Sequence, residues 1–405
     1  MSPKLASRLS LMFFIQFFIF GSWYVTVGNY MDAIGLSEVI HWAYTIGPLS
    51  ALISPFLLGR LADRYFPTEK VLGVLNILGS FAIGAASFVD GSNGGLFIFL
   101  LLLHTICFFP TLGLASTLAF HHIDSPEKQF PIVRVFGSIG WIVAGVLVSA
   151  VLQADETALP IRIASVASMV MGIYCFTLPH TPPRAKHGGN TLRDILGLDA
   201  LRQLNTRPFI VFILCELLIS IPLSTYYAYA PVYINAAGIA SPAFTMSFGQ
   251  MTEVIFMFFM PVILIRLGVK KMILFGFMAW VVRFVFFAGS TPDGIIWMII
   301  AGILLHGICF DFVYIAGQIF IDRQVTADMR GQAQGFLVMV RSGVGLLIGA
   351  QASGWLFNTL LNANAMDMEP WRLFWLLPAG MALLVLLGFW FFFHEEKPAQ
   401  KATNA

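Results

Sequence analysis

Charged residues are scarce in this chain of 405 amino acids. Asp, Glu, Lys and Arg make up 11% of it, whereas soluble domains usually carry about 25%. Hydrophobic residues make up 58%, and the mean hydropathy is +0.83. This composition excludes an ordinary soluble domain and indicates a polytopic membrane protein. The net charge of +2 says little about partners, and we expect no nucleic-acid partner.

Cysteines and enzyme motifs are also missing or few. The four cysteines all fall inside apolar segments, so no disulfide framework is predicted. The sequence contains no H-E-x-x-H, no cysteine pair at zinc spacing, no G-x-S-x-G and no Walker loop. We therefore expect no enzyme, no ATP-driven pump, no metal and no cofactor. A signalling or structural membrane protein stays an alternative, against which the charges inside the apolar segments argue.

Long hydrophobic runs dominate what the chain does contain. A membrane-spanning helix needs roughly 20 mostly apolar residues, and by this measure the sequence predicts an all-α membrane protein with twelve spans. Lys4 and Arg8 precede the first span and no small-residue cleavage site follows it, so it is predicted to be an uncleaved helix. The predicted spans lie at about 8–31, 39–59, 69–90, 95–120, 131–153, 159–179, 207–233, 243–267, 270–290, 292–321, 331–358 and 371–394.

Basic residues are distributed unequally between the two sets of loops. The N-terminus, the C-terminal tail and one set of alternating loops carry nearly all of them, while the opposite set carries only Arg162 and Arg372. Loops rich in Lys and Arg face the cytoplasm. Both termini are therefore predicted to be cytoplasmic, which requires an even number of spans.

A polar stretch from Thr181 to Arg207 divides the spans into two sets of six. Two prolines and a Gly-Gly pair open it, as is typical of a linker. Its later part has apolar residues at helical spacing, which predicts a short amphipathic helix on the membrane surface; a disordered tether is the alternative. We predict an N-terminal six-helix bundle at 1–180, a linker at 181–206, a C-terminal six-helix bundle at 207–394 and a tail at 395–405.

The two halves form a weak repeat. A short basic turn follows a proline after the second span, at Gly59 to Lys70, and again after the eighth, at Ile265 to Lys271. Two six-span halves related by a repeat are a transporter architecture, with the substrate site near the midplane between them.

The first of these turns begins G-R-L-A-D-R, and it resembles the signature loop of the major facilitator superfamily. Gly59 permits close helix approach, Asp63 can meet a helix N-terminus where the dipole favours an anion, and Arg64 can bind carbonyls at a helix C-terminus. We predict that Gly59, Asp63 and Arg64 close the cytoplasmic side of a major facilitator fold and separate when it opens. The alternative is a basic loop that only sets the topology.

Eight further stretches resemble the nucleoside:H+ symporter family in order and spacing. The resemblance implies nucleoside import across the bacterial inner membrane, driven by inward proton flow, and we expect a monomer. The stretches are FGSWYVTVGNYM (Phe20–Met31), PTLGL (Pro110–Leu114), RVFGSIG (Arg134–Gly140), LGLDAL (Leu196–Leu201), SFGQMTEVIF (Ser247–Phe256), AWVVRFVFFA (Ala279–Ala288), CFDFVYIAGQIF (Cys309–Phe320) and AQGFLVM (Ala333–Met339).

Gln250 and Glu253 lie three residues apart in the eighth predicted span and so share a helix face. A charge at the bilayer centre costs at least about 2.5–3.5 kcal/mol, so both side chains are predicted to face a wet, protein-lined cavity. There Glu253 can be protonated for part of a transport cycle. The alternative is a buried structural hydrogen bond between helices. The resemblance places Arg134 of the fifth span across the cavity, as the partner of Glu253 directly or through substrate.

Four more ionisable residues lie inside the predicted spans, and each needs a partner there. Arg283 is predicted to pair with Asp311 within the C-terminal half; Asp311 is also a candidate for proton coupling. Glu216 and Arg341 depart from the family pattern, in which these positions are usually uncharged. We predict that they neutralise one another or grip a polar substrate.

Arg134, Ser138 and Trp141 follow one stripe of the fifth span. The resemblance assigns matching positions to ribose hydroxyls and an aromatic wall. A guanidinium supplies forked donors suited to neighbouring hydroxyls, and Trp141 offers a face for stacking. A packing role is the alternative for Trp141.

His306 and Phe310 match family positions that line the site on the tenth span, where His306 either joins the proton relay or donates a hydrogen bond to substrate. The seventh span lacks the two amides that the family uses to read the nucleobase, and carries Pro222 and Thr225 there, followed by Tyr226. Thr225 and Tyr226 are predicted to bind substrate, and Tyr226, Tyr227 and Tyr229 could replace the amides with hydroxyls and stacking faces. Because this pattern is altered, a proton-coupled carrier of a sugar or another polar metabolite is the alternative function.

Overall fold

A computed structural model describes residues 1–64, 66–183, 201, 204–326 and 329–394. For 54–64 and 126–127 it describes only the helical backbone. The predicted tail and nearly all of the predicted amphipathic helix lie outside the described residues. Within them, every regular element is a helix.

Seven α-helices make up the N-terminal half. The first begins where Ser2 accepts a hydrogen bond from the backbone N–H of Leu5 and Pro3 occupies the first turn, which are common signals for a helix start. A six-residue π-helical segment, π1 (Val146–Val151), follows the sixth. The helices are α1 (Pro3–Trp23), α2 (Val27–Ala33), α3 (Ile40–Arg64), α4 (Thr68–Ala86), α5 (Gly94–His122), α6 (Pro126–Gly145) and α7 (Leu159–Cys175).

The C-terminal half has the same helical character, with two more π-helical segments. The predicted basic turn at Ile265 to Lys271 is tighter than expected, because helix continues on both sides and only Gly268 (φ 71°) leaves helical geometry. The elements are α8 (Arg207–Ala236), α9 (Pro242–Gly289), α10 (Ile296–Leu304), α11 (His306–Phe310), π2 (Asp311–Ile315), α12 (Ala316–Gln324), α13 (Arg330–Val338), π3 (Met339–Gly345), α14 (Leu346–Leu361) and α15 (Trp371–Phe392).

Nine helical segments in the described part of the chain are long and apolar enough to cross a membrane. Their outward faces carry large apolar side chains; Phe258 and Ile265 are each at least 80% exposed. Apolar exposure on this scale is expected where lipid replaces water as the solvent. The helix α7, with 17 residues, and α3 stand outside this set of nine.

Small residues let the helices within each half pack closely. The helices α4 and α7 cross at Gly73 and Gly172, where a Cβ on Gly172 would lie 2.9 Å from the carbonyl oxygen of Gly73. In the C-terminal half, α8 packs against α14 and α15. Close backbone approach at small residues is how helices associate inside membranes.

The two halves meet most tightly on the side opposite the N-terminus, which we call the distal side. Among the described residues, five hydrogen bonds join the halves, and all five lie toward the distal ends of their helices. The pairs are Ala243–Asp155, Asn235–Glu156, Ser241–Ser149, Gln351–Thr45 and Asn358–Glu38.

Candidate functional site

Close packing of α9 against α11 positions Glu253 beside His306. A Cβ on Gly307 would lie 2.6 Å from the carbonyl carbon of Thr252, and one on Gly249 would lie 2.9 Å from the Cβ of His306. The backbone N–H of Gly307 donates to Oγ1 of Thr252 at 3.1 Å. As a result, Oε2 of Glu253 lies 3.8 Å from Nε2 of His306.

Glu253 points toward the interior, between the two halves. Its side chain is 21% exposed, whereas that of His306 is 2% exposed. The carboxylate is close enough to interact electrostatically with Arg134 of the other half and with Tyr227 of α8. Gln250, one turn away on α9, is partly exposed, and its amide oxygen has no hydrogen-bond partner.

Arg134 projects from α6 without forming an ion pair to Glu253 within the described contacts. Its guanidinium carbon lies 4.0 Å from the centre of the Phe17 ring. Ser138 and Trp141 follow it on α6, and both are partly exposed. The predicted stripe thus borders the space between the halves, where the Arg134 donors are held over an aromatic face.

An aromatic wall continues from Trp141 across the interface. The distance between ring centroids is 6.3 Å for Tyr24 and Trp141, 6.2 Å for Tyr24 and Tyr227, and 6.5 Å for Tyr227 and His306. Tyr227 is one of the three tyrosines expected to replace the amides, whereas Tyr24 carried no sequence signal that singled it out. The neighbouring Trp23 instead packs inside the N-terminal half, 5.7 Å from His104.

Thr225 and Tyr226, which were predicted to bind substrate, lie behind this wall. The Thr225 hydroxyl donates to the carbonyl oxygen of Ile221 at 3.1 Å. Tyr226 is fully buried between the guanidinium of Arg283, at 4.2 Å, and the His306 ring, at 5.5 Å. In this arrangement Tyr226 supports His306, and Tyr227 is the α8 tyrosine that faces the other half.

The predicted Arg283–Asp311 ion pair is not formed. Arg283 donates from Nε to the carbonyl oxygen of Gly302 at 3.0 Å, while both carboxylate oxygens of Asp311 are buried without a hydrogen-bond partner. Asp311 is the first residue of π2. The charged group that interacts electrostatically with Asp311 is the Glu253 carboxylate, so two acidic side chains lie near one another beside His306.

Phe310 extends the aromatic surface along the same helix. Its ring stacks on His306 at 5.7 Å and meets Tyr314 edge-on at 4.7 Å. The predicted gating residues Gly59, Asp63 and Arg64 lie on or at the end of α3, and their side chains are outside the described residues.

Known transporters resemble the chain along nearly its whole length. YegT of Escherichia coli (strain K12), whose name assigns it provisionally to nucleoside transport, is 33% identical over 97% of this chain and 95% of its own. Xanthosine permease from the same organism is 30% identical over 99% of both chains. The crystal structure of a mutant of the nucleoside transporter NupG superposes with a TM-score of 0.88 at 25% identity, covering 96% of this chain and 100% of that one. The sequence model for nucleoside H+ symporters matches residues 3–398.

Proposed function

This chain belongs to the nucleoside H+ symporter family, and on that premise we propose how its residues carry out the transport. The protein is a multi-pass membrane transporter, not an enzyme, and it imports nucleosides by proton symport. It does so as a monomer with the twelve-span major facilitator fold. Counting α3 and α7 as spans, and dividing α9 at Gly268, supports that number.

The positive-inside pattern supports a bacterial inner-membrane location with both termini in the cytoplasm. The distal side is then periplasmic. Because the described hydrogen bonds between the halves lie on that side, the conformation is one in which the periplasmic entrance is closed. Asp63 and its neighbours in the α3 loop close the opposite entrance when the carrier turns outward.

Proton binding is the task of Glu253. Its carboxylate lies in a partly exposed position between the halves, beside His306 and near the second acid, Asp311. Inside a membrane such groups mark ion pathways and proton relays. Protonation removes the charge of Glu253, so the loaded carrier can close around its substrate without an uncompensated anion. His306 either passes the proton or donates a hydrogen bond to the substrate.

Nucleoside binding uses both halves. Arg134 and Ser138 contact the ribose hydroxyls, Gln250 contributes an amide, and Trp141 and Phe310 cover the rings of the substrate. A site shared in this way brings the halves together only when it is occupied. Binding energy is thereby converted into a change of access, as alternating access requires.

The observation that carries this proposal is the placement of Glu253, 3.8 Å from His306 and within electrostatic range of Arg134 from the opposite half. A thermal-shift panel of purified protein with nucleosides and sugars tests the substrate class, since a ligand that binds the folded state raises its stability by mass action. Stabilisation by nucleosides and silence with sugars is the expected result. The reverse would show a sugar carrier.

A further inference from the structure

Two π-helical segments face each other in the C-terminal half, below the aromatic wall. The segment π2 contains Tyr314 and π3 contains Arg341, and the guanidinium carbon of Arg341 lies 4.5 Å from the centre of the Tyr314 ring. Single π-helical turns inside α-helices occur frequently at functional sites. Here they bring a cationic side chain flat against an aromatic face.

Glu216 lies close behind this pair on α8. It is fully buried, and neither carboxylate oxygen has a hydrogen-bond partner. The carboxylate of Glu216 occupies space next to Gly317, because a Cβ on Gly317 would lie 3.1 Å from Oε1 of Glu216. Arg341 is the cation that acts on Glu216 electrostatically, so the guanidinium and the buried carboxyl group lie near one another, away from bulk water.

The guanidinium of Arg341 nevertheless has N–H donors that are not hydrogen-bonded. Its only recorded hydrogen bond within the described residues is a long one, 3.5 Å from Nε to Oγ of Ser342. Its Nη1 is buried without an acceptor, although the residue as a whole is partly exposed. A buried donor without a partner is costly. The Tyr314 ring thus orients the guanidinium, whose Nη1 has no acceptor in this conformation.

The same side chain borders the proposed nucleoside site. Tyr227 is close enough to interact electrostatically with both Glu253 and Arg341, and Phe310 packs against Tyr314. Arg341 belongs to the C-terminal half, and the rings of Tyr314 and Phe310 connect it to His306, the neighbour of Glu253. Each half thus contributes one arginine to this region, Arg134 from the N-terminal half and Arg341 from the C-terminal half.

Building on the proposed nucleoside transport, we propose that Arg341, backed by Glu216 and Tyr314, reads the six-position edge of a purine base. A guanidinium fork donates in parallel to the adjacent O6 and N7 acceptors of a 6-oxopurine. Adenine presents an amino donor at that position, which faces the guanidinium donors without a hydrogen bond. The carrier accordingly prefers 6-oxopurine nucleosides, such as inosine and guanosine, to adenosine.

Calorimetric titration of the purified full-length protein with inosine, adenosine and 7-deazainosine tests this inference. Inosine and adenosine differ at the six position, and the deaza compound removes the N7 acceptor. We expect the wild type to bind inosine at least about tenfold more tightly than either, since one bidentate contact discriminates by that much or more. Arg341→Gln should bind inosine and adenosine equally well, with an adenosine affinity within about threefold of the wild-type value. Arg341→Lys keeps the positive charge but loses the forked pair of donors, so it should show little preference for inosine.

Matched controls separate base recognition from folding. Arg330→Gln removes an arginine from the same helical stretch, where it pairs with Asp322 at 3.3 Å outside the site, and should leave the inosine preference intact. If Arg341→Gln is unstable because Glu216 loses its counter-charge, the double variant Glu216→Gln/Arg341→Gln should recover the fold while still lacking the preference. Equal inosine and adenosine affinities in the wild type, or an equal loss of both in Arg341→Gln, would overturn the inference. Absence of any nucleoside binding would instead contradict the proposed function itself.

Discussion

The Asp155 carboxylate accepts a hydrogen bond from the backbone N–H of Ala243 at 3.0 Å. Asp155 belongs to the N-terminal half, and Ala243 lies in the first turn of α9 in the C-terminal half. The other carboxylate oxygen accepts from the Ser149 hydroxyl at 2.7 Å. An acid at a helix N-terminus satisfies a free N–H and meets the positive end of the helix dipole. Asp155 therefore fastens the two halves on the distal side, which we propose to be periplasmic, as Asp63 is proposed to do on the other.

Removing this acceptor should open the periplasmic side. Asp155→Ala leaves the N–H of Ala243 without a partner in the closed state, a loss of about 1–3 kcal/mol that shifts the balance toward the outward-open state by roughly tenfold or more. Asp155→Asn keeps an acceptor oxygen and should stay close to wild type. Spin-label distances between Thr157 and Asp293, each replaced by cysteine in a background without the native cysteines, report the opening. Identical distances in Asp155→Ala and wild type would contradict the role.

The same contact should respond to periplasmic pH. Burial raises the pKa of Asp155 in the closed state, against the opposing effect of its hydrogen bonds to Ser149 and Ala243. When the entrance opens, the carboxyl meets water and its pKa returns to about 3.9. The closed state therefore binds the Asp155 proton more tightly than the open state does, and low pH favours closure. This advantage is lost as the pH rises from the pKa of Asp155 in the open state through its raised pKa in the closed state. Distances measured across this range should show it, and Asp155→Asn should abolish it; a trend of the opposite sign would contradict the assignment.

Loss of Arg134 should weaken recognition of the ribose. Hydrogen bonds to charged groups contribute about 1.5–3 kcal/mol each, so the wild type should bind uridine at least about tenfold more tightly than 2′,3′-dideoxyuridine. Arg134→Gln should reduce that ratio to near one in calorimetric titrations. Arg162→Gln is a matched control, because Arg162 also lies over a phenyl ring, that of Phe88 at 5.3 Å, but outside the proposed site. A ratio unchanged in Arg134→Gln would remove this residue from the ribose site.

Adding a methyl group at Gly307 should separate α9 from α11. The new Cβ would lie 2.6 Å from the carbonyl carbon of Thr252, and overpacking of this kind costs about 1–3 kcal/mol. We expect Gly307→Ala to lower the unfolding temperature and reduce uptake, because Glu253 moves away from His306. Gly380→Ala on α15, where a Cβ meets nothing within 4 Å, should match or exceed wild-type stability. Equal melting curves for the two variants would mean that this contact does not position the site.

The length of the apolar runs was enough to predict the helical segments. Glu253 was expected to face the protein interior, because an acid in a long apolar run is costly to expose to lipid. His306 and Phe310 are four residues apart and share a helix face, and in the structure their rings stack. These features depend on local helix geometry and on the cost of a charge in lipid.

The positions of Tyr24 and Asp311 depended on breaks in the helices, which a regular hydrophobic pattern in the sequence does not reveal. Three turn residues separate α1 from α2, and they send Tyr24 toward the other half while Trp23 stays inside its own. A break at Leu305 separates Gly302, whose carbonyl oxygen binds Arg283, from the helix that carries Asp311, and the expected pair of Arg283 with Asp311 is not formed. Widened turns and short breaks arise from tertiary packing, and a regular 3.6-residue period places the side chains after them on the wrong face.

Uptake of radiolabelled nucleoside into proteoliposomes under an imposed pH gradient, compared between wild type and Glu253→Gln, tests the coupling of nucleoside to proton most directly. Glutamine keeps the size and hydrogen bonding of the side chain but cannot be deprotonated. Glu253→Gln should still exchange nucleoside across the membrane in a counterflow assay, yet fail to accumulate it in response to the gradient, while Asp90→Asn, an exposed loop control, behaves as wild type. Full gradient-driven accumulation by Glu253→Gln would contradict the account.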